Sequence, residues 1–250
     1  MKVIKNLPFY AWCVYSLIQI GQKGRNIDRY RKKGELEKER EEILATADIW
    51  GNSAAKRFKV NIIKEGLENI PEGPVLFVSN HQSYIDIVVI LATFTMHQTG
   101  FVAKEDLQNI PIFGKWIGRI RSVFLQRDDA RAAVEVFKSG EQYIRDGFSL
   151  VVFPEGTRSR CEEMGPFRKG SLRLATKTGV PVVPITLSND WKVYEEHGFM
   201  CPADVRICVH PPIDTSSLSK AEIADLSDNV EAIIHKKLDE WNSSNSSYQG

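Results

Sequence analysis

The stretch PVLFVSNHQSYIDIVVIL, residues 74–91, joins two different hydrophobic patterns and decides the fold class. Its first part, residues 74–79, is short and continuously apolar, which is typical of a strand buried on both faces. Residues 83–95 are then predicted to form a helix. Ser83 and Asp86 have the S-x-x-D spacing of a capping box immediately before the apolar run of that helix. The stretch therefore predicts a strand, a short turn and a capped helix.

A helix start explains Ser83 and Asp86, but it does not explain His81 in the turn before them. His81 and Asp86 have H-x4-D spacing, and five residues of a regular helix turn by about 500°, so two mid-helix side chains would point about 140° apart. If His81 instead lies in the turn and Asp86 in the first helical turn, the two can meet. Asp86 could then fix one ring nitrogen and leave the other as a general base. The alternative is a lone histidine with satisfied polar groups beside a carboxylate that only caps the helix.

Apolar runs and helical patterns alternate through the rest of the chain. Strands are predicted at 74–79, 100–104, 122–126, 148–153, 180–187 and 204–210. Helices are predicted at 83–95, 128–146, 167–178 and 219–240, with short helical pieces across 105–119. Continuous apolar strands that alternate with helices indicate an α/β fold with a largely parallel central sheet and helices on both faces.

Several polar side chains follow the predicted strands directly. In a parallel sheet the carboxyl ends of the strands meet at one edge, where ligands usually bind. We therefore expect these groups to converge, although each of them alone is also explained by an exposed strand end. They are His81 after the first strand, Lys104 at the end of the second, Arg127 after the third, and Glu155, Gly156 and Arg158 after the fourth.

The segment FPEGTRS, residues 153–159, has the composition of a phosphate site. Gly156 allows the backbone to approach a ligand closely, and Arg158 offers a planar fork that matches phosphate oxygens. The alternative is a simple turn, because IPEGP at 70–74 also contains Pro-Glu-Gly and precedes a strand. The second copy differs because it follows a buried strand and continues into a threonine and an arginine.

The N-terminal region has a different composition from the rest of the chain. Residues 6–22 are uncharged and aromatic, but they are short for a transmembrane helix, which needs about 20 apolar residues. Residues 23–33 hold six basic side chains and one acid, and 35–58 are predicted to form a second helix. An aromatic helix beside a basic cluster is typical of docking on anionic lipid. The alternatives are a solvated charged loop and an N-terminal arm that packs on the core.

We therefore predict three parts. Residues 1–58 form a membrane-associating helical pair, 59–241 form the α/β domain, and 242–250 form a flexible polar tail.

Composition excludes several classes of function. The net charge of +1 gives no sign of nucleic-acid binding. The four cysteines are scattered and predict neither a disulfide framework nor a structural zinc site, which favours a reducing compartment. No G-x-x-x-x-G-K-[ST] or G-x-G-x-x-G motif is present, and no G-x-S-x-G elbow, which disfavours the usual nucleotide sites and covalent hydrolase chemistry.

Four ordered blocks together resemble the glycerolipid acyltransferases, and within them the 1-acyl-sn-glycerol-3-phosphate acyltransferases. The blocks span residues 80–185, less than half of the chain. They are NHQSYID (80–86), KEDLQNIPIFG (104–114) with SVFLQRDDAR (122–131), FPEGTRS (153–159) with FRKGS (167–171), and VPVVPI (180–185).

The resemblance implies acyl transfer from acyl-CoA or acyl-carrier protein to the sn-2 hydroxyl of lysophosphatidic acid, which gives phosphatidic acid. It implies no metal, no cofactor and no covalent acyl-enzyme. The roles that it carries over are His81 as base, Asp86 as its orienting group, Arg158 as the phosphate ligand, Lys104 and Arg127 as helpers, and Glu155 and Gly156 as residues that shape the site.

Three alternatives remain open. A sister enzyme would acylate glycerol-3-phosphate or another lysophospholipid with the same chemistry. A non-catalytic lipid-binding protein would keep the fold without turnover, and a hydrolase would use water as the acceptor. The expected location is the cytoplasmic face of a cell membrane, in a bacterium, with anionic lipid as a partner and no nucleic acid.

Overall fold

The computed structural model describes residues 2–125 and 130–246, which form one seven-stranded sheet with helices packed on it. The strands are β1 (Val60–Glu65), β2 (Leu76–Ser79), β3 (Thr99–Lys104), β4 (Val123–Leu125), β5 (Ser149–Val152), β6 (Val182–Ser188) and β7 (Ala203–Val209). The α-helices are α1 (Lys2–Lys33), α2 (Leu36–Phe58), α3 (Ile85–Thr93), α4 (Phe113–Arg119), α5 (Ala130–Arg145), α6 (Arg173–Thr178), α7 (Asp190–Tyr194) and α8 (Lys220–Ser246). Two 3₁₀ turns lie at Leu67–Asn69 and Glu105–Asn109.

The sheet has the strand order β1-β7-β6-β2-β5-β3-β4. Every neighbouring pair is parallel except β6 and β7, which pair antiparallel. The five strands from β6 to β4 therefore run in one direction, and their carboxyl ends share one edge. The predicted α/β class with a largely parallel sheet is confirmed.

The central strand β2 is buried on both faces because it separates two hydrophobic cores. Phe77, and Val75 immediately before the strand, belong to the core under α1, α2 and α3. Leu76 and Val78 alternate with them and belong to the opposite core, under α5, α6 and α8. A strand between two cores has no solvent-facing position, which explains the continuous apolar run.

The N-terminal helices form an antiparallel pair that packs on the domain. Helix α2 runs unbroken through Gly51, as the prediction of a helix at 35–58 requires. A Cβ atom on Gly51 would lie 2.7 Å from the backbone nitrogen of Ala92, so the glycine allows α2 to approach α3 closely. Glu39 is fully buried and binds Arg121 with both carboxylate oxygens, at 2.7 and 2.6 Å. The expected helical pair is present, and its inner face belongs to the hydrophobic core under α1, α2 and α3.

Helix α1 includes the basic cluster of residues 23–33, which is helical and not a loop. Arg31 points toward the domain and pairs with Glu39 at 2.7 Å. The other five basic side chains are exposed: Lys23, Arg25, Arg29, Lys32 and Lys33. Within the described ranges, none of the helices is long and apolar enough to span a bilayer.

Several elements differ from the sequence predictions. Helix α7 was not predicted, and the helix predicted at 167–178 is α-helical only at Arg173–Thr178. Strand β1 was not predicted, because it pairs only with β7 at the sheet edge and carries polar residues such as Asn61 and Lys64 among its apolar ones. Helix α8 extends to Ser246, so residues 242–246, expected in a flexible tail, are helical. Burial of Trp241 against the core accounts for this extension. The last four residues, 247–250, lie outside the described part of the chain.

Candidate active site

The carboxyl ends of β2, β3 and β5 surround one cavity of about 390 Å³. Four of the predicted site residues line it: His81, Lys104, Gly156 and Arg158. Asp86 and Glu155 lie directly behind His81. Arg127 falls in the gap at 126–129, outside the described residues. The expected convergence of separate strand ends is therefore observed for six of the seven predicted positions.

His81 lies in the turn after β2, and Asp86 lies in the first turn of α3. The Nδ1 atom of His81 is 2.7 Å from Oδ2 of Asp86, whose side chain is fully buried. The same Oδ2 accepts the backbone N–H of Gln82 at 2.8 Å, and Oδ1 accepts that of Ser83 at 2.9 Å. Asp86 therefore contacts the histidine and caps the helix at the same time, so the two interpretations of this carboxylate are compatible.

The ring of His81 has a fixed plane. It stacks on Phe153 with the ring centroids 4.1 Å apart and the planes 19° from parallel. The His81 side chain is 19% exposed at the cavity. In the described part of the chain, its Nε2 atom has no hydrogen-bond partner. One nitrogen is thus fixed by a carboxylate, and the other is free at the cavity surface.

Glu155 ties the loop after β5 to the histidine turn. Its buried carboxylate accepts the backbone N–H of His81 at 2.6 Å and that of Gly165 at 2.8 Å. Burial raises the pKa of this carboxyl to about 7, although the two backbone N–H bonds favour the charged form. Gly156 has φ +72°, and a Cβ atom there would lie 2.8 Å from Nε of Arg168, so this loop requires glycine.

Arg158 is held by two neighbours at the cavity rim. Its guanidinium carbon lies 3.4 Å from the ring centroid of Tyr84, and Nη1 lies 3.1 Å from Oε1 of Glu195. Glu195 also accepts the Ser83 hydroxyl at 2.5 Å and the Tyr84 backbone N–H at 3.2 Å. The acid therefore joins Arg158 to the start of α3.

Lys104 is exposed, and its ammonium group binds the carboxylate of Asp106 two residues later. It lines the same cavity as His81. Across residues 2–125 and 130–246, no cluster of three or more His, Cys, Asp or Glu side chains has the arrangement of a metal site.

Residues 61–188, just over half of the chain, match the acyltransferase family. The chain belongs to this family. Two curated relatives and one crystal structure illustrate the similarity. The chain is 37% identical to a chloroplastic 1-acyl-sn-glycerol-3-phosphate acyltransferase of Brassica napus, over 74% of this chain and 52% of the relative. It is 33% identical to the 1-acyl-sn-glycerol-3-phosphate acyltransferase of Borreliella burgdorferi, over 72% of both chains.

The crystal structure of the 1-acyl-sn-glycerophosphate (LPA) acyltransferase from Thermotoga maritima has the same architecture as this acyltransferase family member. The TM-score is 0.80 at 30% identity, and the match covers 97% of this chain and 98% of that one. The chain spans about half the length of the Brassica napus and Arabidopsis thaliana relatives that it matches.

Two acids of this candidate site were not predicted from the sequence. Glu195 follows α7 and reaches Arg158 and the start of α3. Asp190 begins α7 and is fully buried behind Asp86. Both lie beyond residue 185, where the four recognised blocks end, and neither stands in a motif. The one sequence feature that could have identified them is that they follow the buried strand β6. His81 was identified by the same kind of position after a strand.

Proposed function

We propose that this protein is a membrane-associated acyltransferase that moves a fatty acyl group from a thioester donor to the sn-2 hydroxyl of lysophosphatidic acid. The product is phosphatidic acid. The observation that carries the proposal is the arrangement of His81, with Nδ1 against Asp86 and Nε2 free at a cavity that also contains Arg158. The names of the Brassica napus and Borreliella burgdorferi relatives support the same acceptor.

The mechanism uses His81 as a general base. Its Nδ1–H donates to Asp86, so Nε2 carries the free electron pair that accepts the proton of the acceptor hydroxyl. The hydroxyl oxygen attacks the thioester carbonyl carbon, the new C–O bond forms, and the C–S bond breaks. The imidazolium then returns the proton to the thiolate. General-base catalysis of this kind contributes about 10²–10⁴ to the rate.

No nucleophilic side chain is needed, because the acceptor supplies the attacking oxygen. Asp86 stabilises the positive ring that forms during the step, and stacking on Phe153 holds the ring in its plane. The proposal includes no metal and no cofactor, with acyl-CoA or acyl-carrier protein as co-substrate.

Arg158 is proposed as the ligand of the acceptor phosphate. Its guanidinium lies at the same cavity as His81, and its planar fork suits two phosphate oxygens. Lys104 and Arg127 are proposed as additional positive groups near the phosphate, and Gly156 as the residue that lets the loop approach the ligand.

A second cavity of about 230 Å³ adjoins the first and suits the acyl chain. Val102, Ala103, Phe153 and Gly156 line both cavities. Apolar side chains dominate the wall of the second cavity, and two basic side chains, Arg168 and Lys169, lie among its lining residues. An apolar wall with basic groups fits a fatty chain attached to an anionic donor.

Membrane association rests on the outer face of α1. This face exposes an apolar row at helical spacing: Ile4, Leu7, Tyr10, Val14, Tyr15 and Ile18. The exposed basic side chains of the same helix follow at its carboxyl-terminal half, and each contributes about 1 kcal/mol of attraction near an anionic surface. Exposed Ile112 lies beside Gly21 of α1, and Leu107, five residues earlier, lines the catalytic cavity. The segment 107–112 therefore joins the neighbourhood of α1 to the lining of this cavity.

The proposed location is the cytoplasmic face of a bacterial cell membrane. The four cysteines Cys13, Cys161, Cys201 and Cys208 are all unpaired thiols, which suits a reducing compartment.

The proposed function is tested by acyl transfer in liposomes. Labelled lysophosphatidic acid is supplied with acyl-CoA or acyl-carrier protein in parallel reactions, and glycerol-3-phosphate and other lysophospholipids are supplied as competing acceptors. Labelled phosphatidic acid as the main product is the expected result. Preferred acylation of another acceptor would indicate the sister enzyme, and free fatty acid in the absence of acceptor would indicate a hydrolase. No product from folded protein would indicate a lipid-binding protein.

A further inference from the structure

A second buried carboxyl group lies behind the His81–Asp86 pair. Asp190 is the first residue of α7, directly after β6, and it is fully buried. Neither of its carboxyl oxygens accepts a hydrogen bond from the part of the chain that the structure describes. Its carboxyl group is within hydrogen-bonding range of the Asp86 carboxylate. Two acids in contact without a cation between them require an explanation.

The hydrogen bonds show which of the two acids carries the charge. Asp86 faces three donors: the backbone N–H groups of Gln82 and Ser83, and Nδ1 of His81. Neither carboxyl oxygen of Asp190 makes a hydrogen bond among the described residues, and the one donor beside them is the backbone N–H of Asp190 itself. Two adjacent buried carboxylates cannot both be ionised at a modest energetic cost, so the proton belongs on the one with fewer donors.

The surrounding charges favour the same assignment. The charged groups near Asp190 are Asp86 on α3 and Glu195 after α7, and both are acids. The cation closest to this group in the hydrogen-bond network is Arg158, which is bound to Glu195. Burial, followed by the proximity of the Asp86 and Glu195 carboxylates, raises the pKa of Asp190 well above its ordinary range.

We propose that Asp190 is a positioning residue, protonated at neutral pH, that donates its O–H to Asp86 and so fixes the carboxylate that orients His81. Among the described residues, Oδ1 of Asp86 accepts only the Ser83 N–H, so it keeps a free electron pair for this bond. The result is a chain of three groups: Asp190, Asp86 and His81. The inference rests on the proposed function of His81 as a base, but the protonation of Asp190 can be measured without any turnover.

The direction of the effect follows from electrostatics. An O–H bond to Asp86 withdraws electron density from the carboxylate, so the carboxylate stabilises the protonated imidazole less. Removal of that donor should therefore move the acidic limb of the kcat/KM profile, which reports protonation of the base, to higher pH. If Asp190 were instead ionised, removal of its negative charge would move the same limb to lower pH.

Two variants of one residue separate these cases. Asp190→Asn keeps an N–H donor of nearly the same shape, and Asp190→Leu removes the donor. We expect the acidic limb to stay in place in Asp190→Asn and to move to higher pH in Asp190→Leu, with kcat lowered about tenfold, the loss that corresponds to one hydrogen bond to a charged group. Val193→Ala, a buried apolar truncation on the same helix, controls for packing and should leave the limb in place. A limb that moves to lower pH in both Asp190 variants, or that stays in place in both, overturns the proposal.

Infrared difference spectroscopy provides a second test. It requires neither that Asp190→Leu folds nor that the protein is active. Well above pH 7, where a Glu155 carboxyl group with a pKa of about 7 is ionised, wild-type protein minus Asp190→Asn should show the C=O stretch of one protonated carboxyl group. Absence of that band contradicts the inference even if the protein transfers acyl groups. Presence of the band in a protein without acyl transfer would leave the protonated acid established and reject only the proposed function.

Discussion

Oε1 of Glu195 lies 3.1 Å from Nη1 of Arg158. The arginine that is proposed to bind the acceptor phosphate is therefore already paired with a carboxylate of the protein. The Glu195 side chain is 6% exposed and the Arg158 side chain 16%, so solvent does not fully screen the pair. A phosphate that binds Arg158 must compete with this carboxylate. Glu195 therefore presets the position of the arginine and weakens its affinity for an anion.

The first prediction concerns this competition. Glu195→Gln keeps an oxygen that can accept the Tyr84 N–H and removes the negative charge that faces Arg158. We predict that the KM for lysophosphatidic acid falls about two- to fivefold, because the desolvation of a largely buried ion pair offsets most of its attraction and leaves only a small net competition. Steady-state kinetics measure the change, with Glu196→Gln, an exposed neighbour, as the matched control. A KM that rises in Glu195→Gln contradicts the competition.

The second prediction concerns Arg158 itself. Arg158→Ala removes the proposed phosphate ligand, so we predict a KM for lysophosphatidic acid that is raised about tenfold or more, the effect of one charge-assisted hydrogen bond. The change in kcat should be smaller, because the guanidinium does not contact the reacting hydroxyl in this account. Arg145→Ala, at the exposed end of α5, serves as the control. An unchanged KM would exclude Arg158 as the phosphate ligand.

The third prediction concerns pH and stability. The pKa of Glu155 is raised from 4.5 to about 7 by burial, so the folded protein keeps a proton that the unfolded chain releases. This contribution to stability is complete below pH 4.5 and is lost as the pH rises toward about 7. Glu155→Gln has no charge at any pH. We predict that it flattens the fall in the free energy of unfolding across this range, measured by chemical denaturation at successive pH values. An equally steep fall in the variant would assign the dependence to other groups.

The fourth prediction concerns the outer face of α1. Leu7→Asp combined with Val14→Asp places two charges in the exposed apolar row. We predict that affinity for anionic vesicles falls at least tenfold, because full burial of each aliphatic side chain is worth about 1.5–3 kcal/mol. Vesicle co-sedimentation measures the binding. Ile223→Asp, which charges an exposed apolar residue of α8, should leave it unchanged. Equal loss in both proteins would show a general effect of charge.

The sequence was sufficient for the strands at the centre of the sheet. Strands β2, β5 and β6 are buried on both faces and therefore appear in the sequence as short, continuous apolar runs. Runs of this length are shorter than a typical helix, so a strand was the natural prediction. Strand β1 was missed because an edge strand keeps polar side chains, and its pairing with β7 is a contact between residues about 140 positions apart. A local pattern contains no information about such a pairing.

Local sequence patterns also identified only part of the candidate site. His81, Asp86, Glu155 and Arg158 were identified because each follows a predicted strand within a short motif. Glu195 and Asp190 act on those residues through space, from a helix of five residues that no periodicity predicts. Lys104 was predicted from its position at the end of a strand. In the structure its ammonium group is bound to Asp106.

The most direct test of the central claim is the rate of acyl transfer to lysophosphatidic acid by His81→Ala. The variant keeps the backbone N–H that binds Glu155, so the turn should remain folded, which circular dichroism and thermal unfolding can verify. We predict that folded His81→Ala loses turnover by about 10²–10⁴, the contribution of a general base, while lysophosphatidic acid still binds. A folded variant that transfers acyl groups at the wild-type rate would contradict the account and leave His81 with a structural role only.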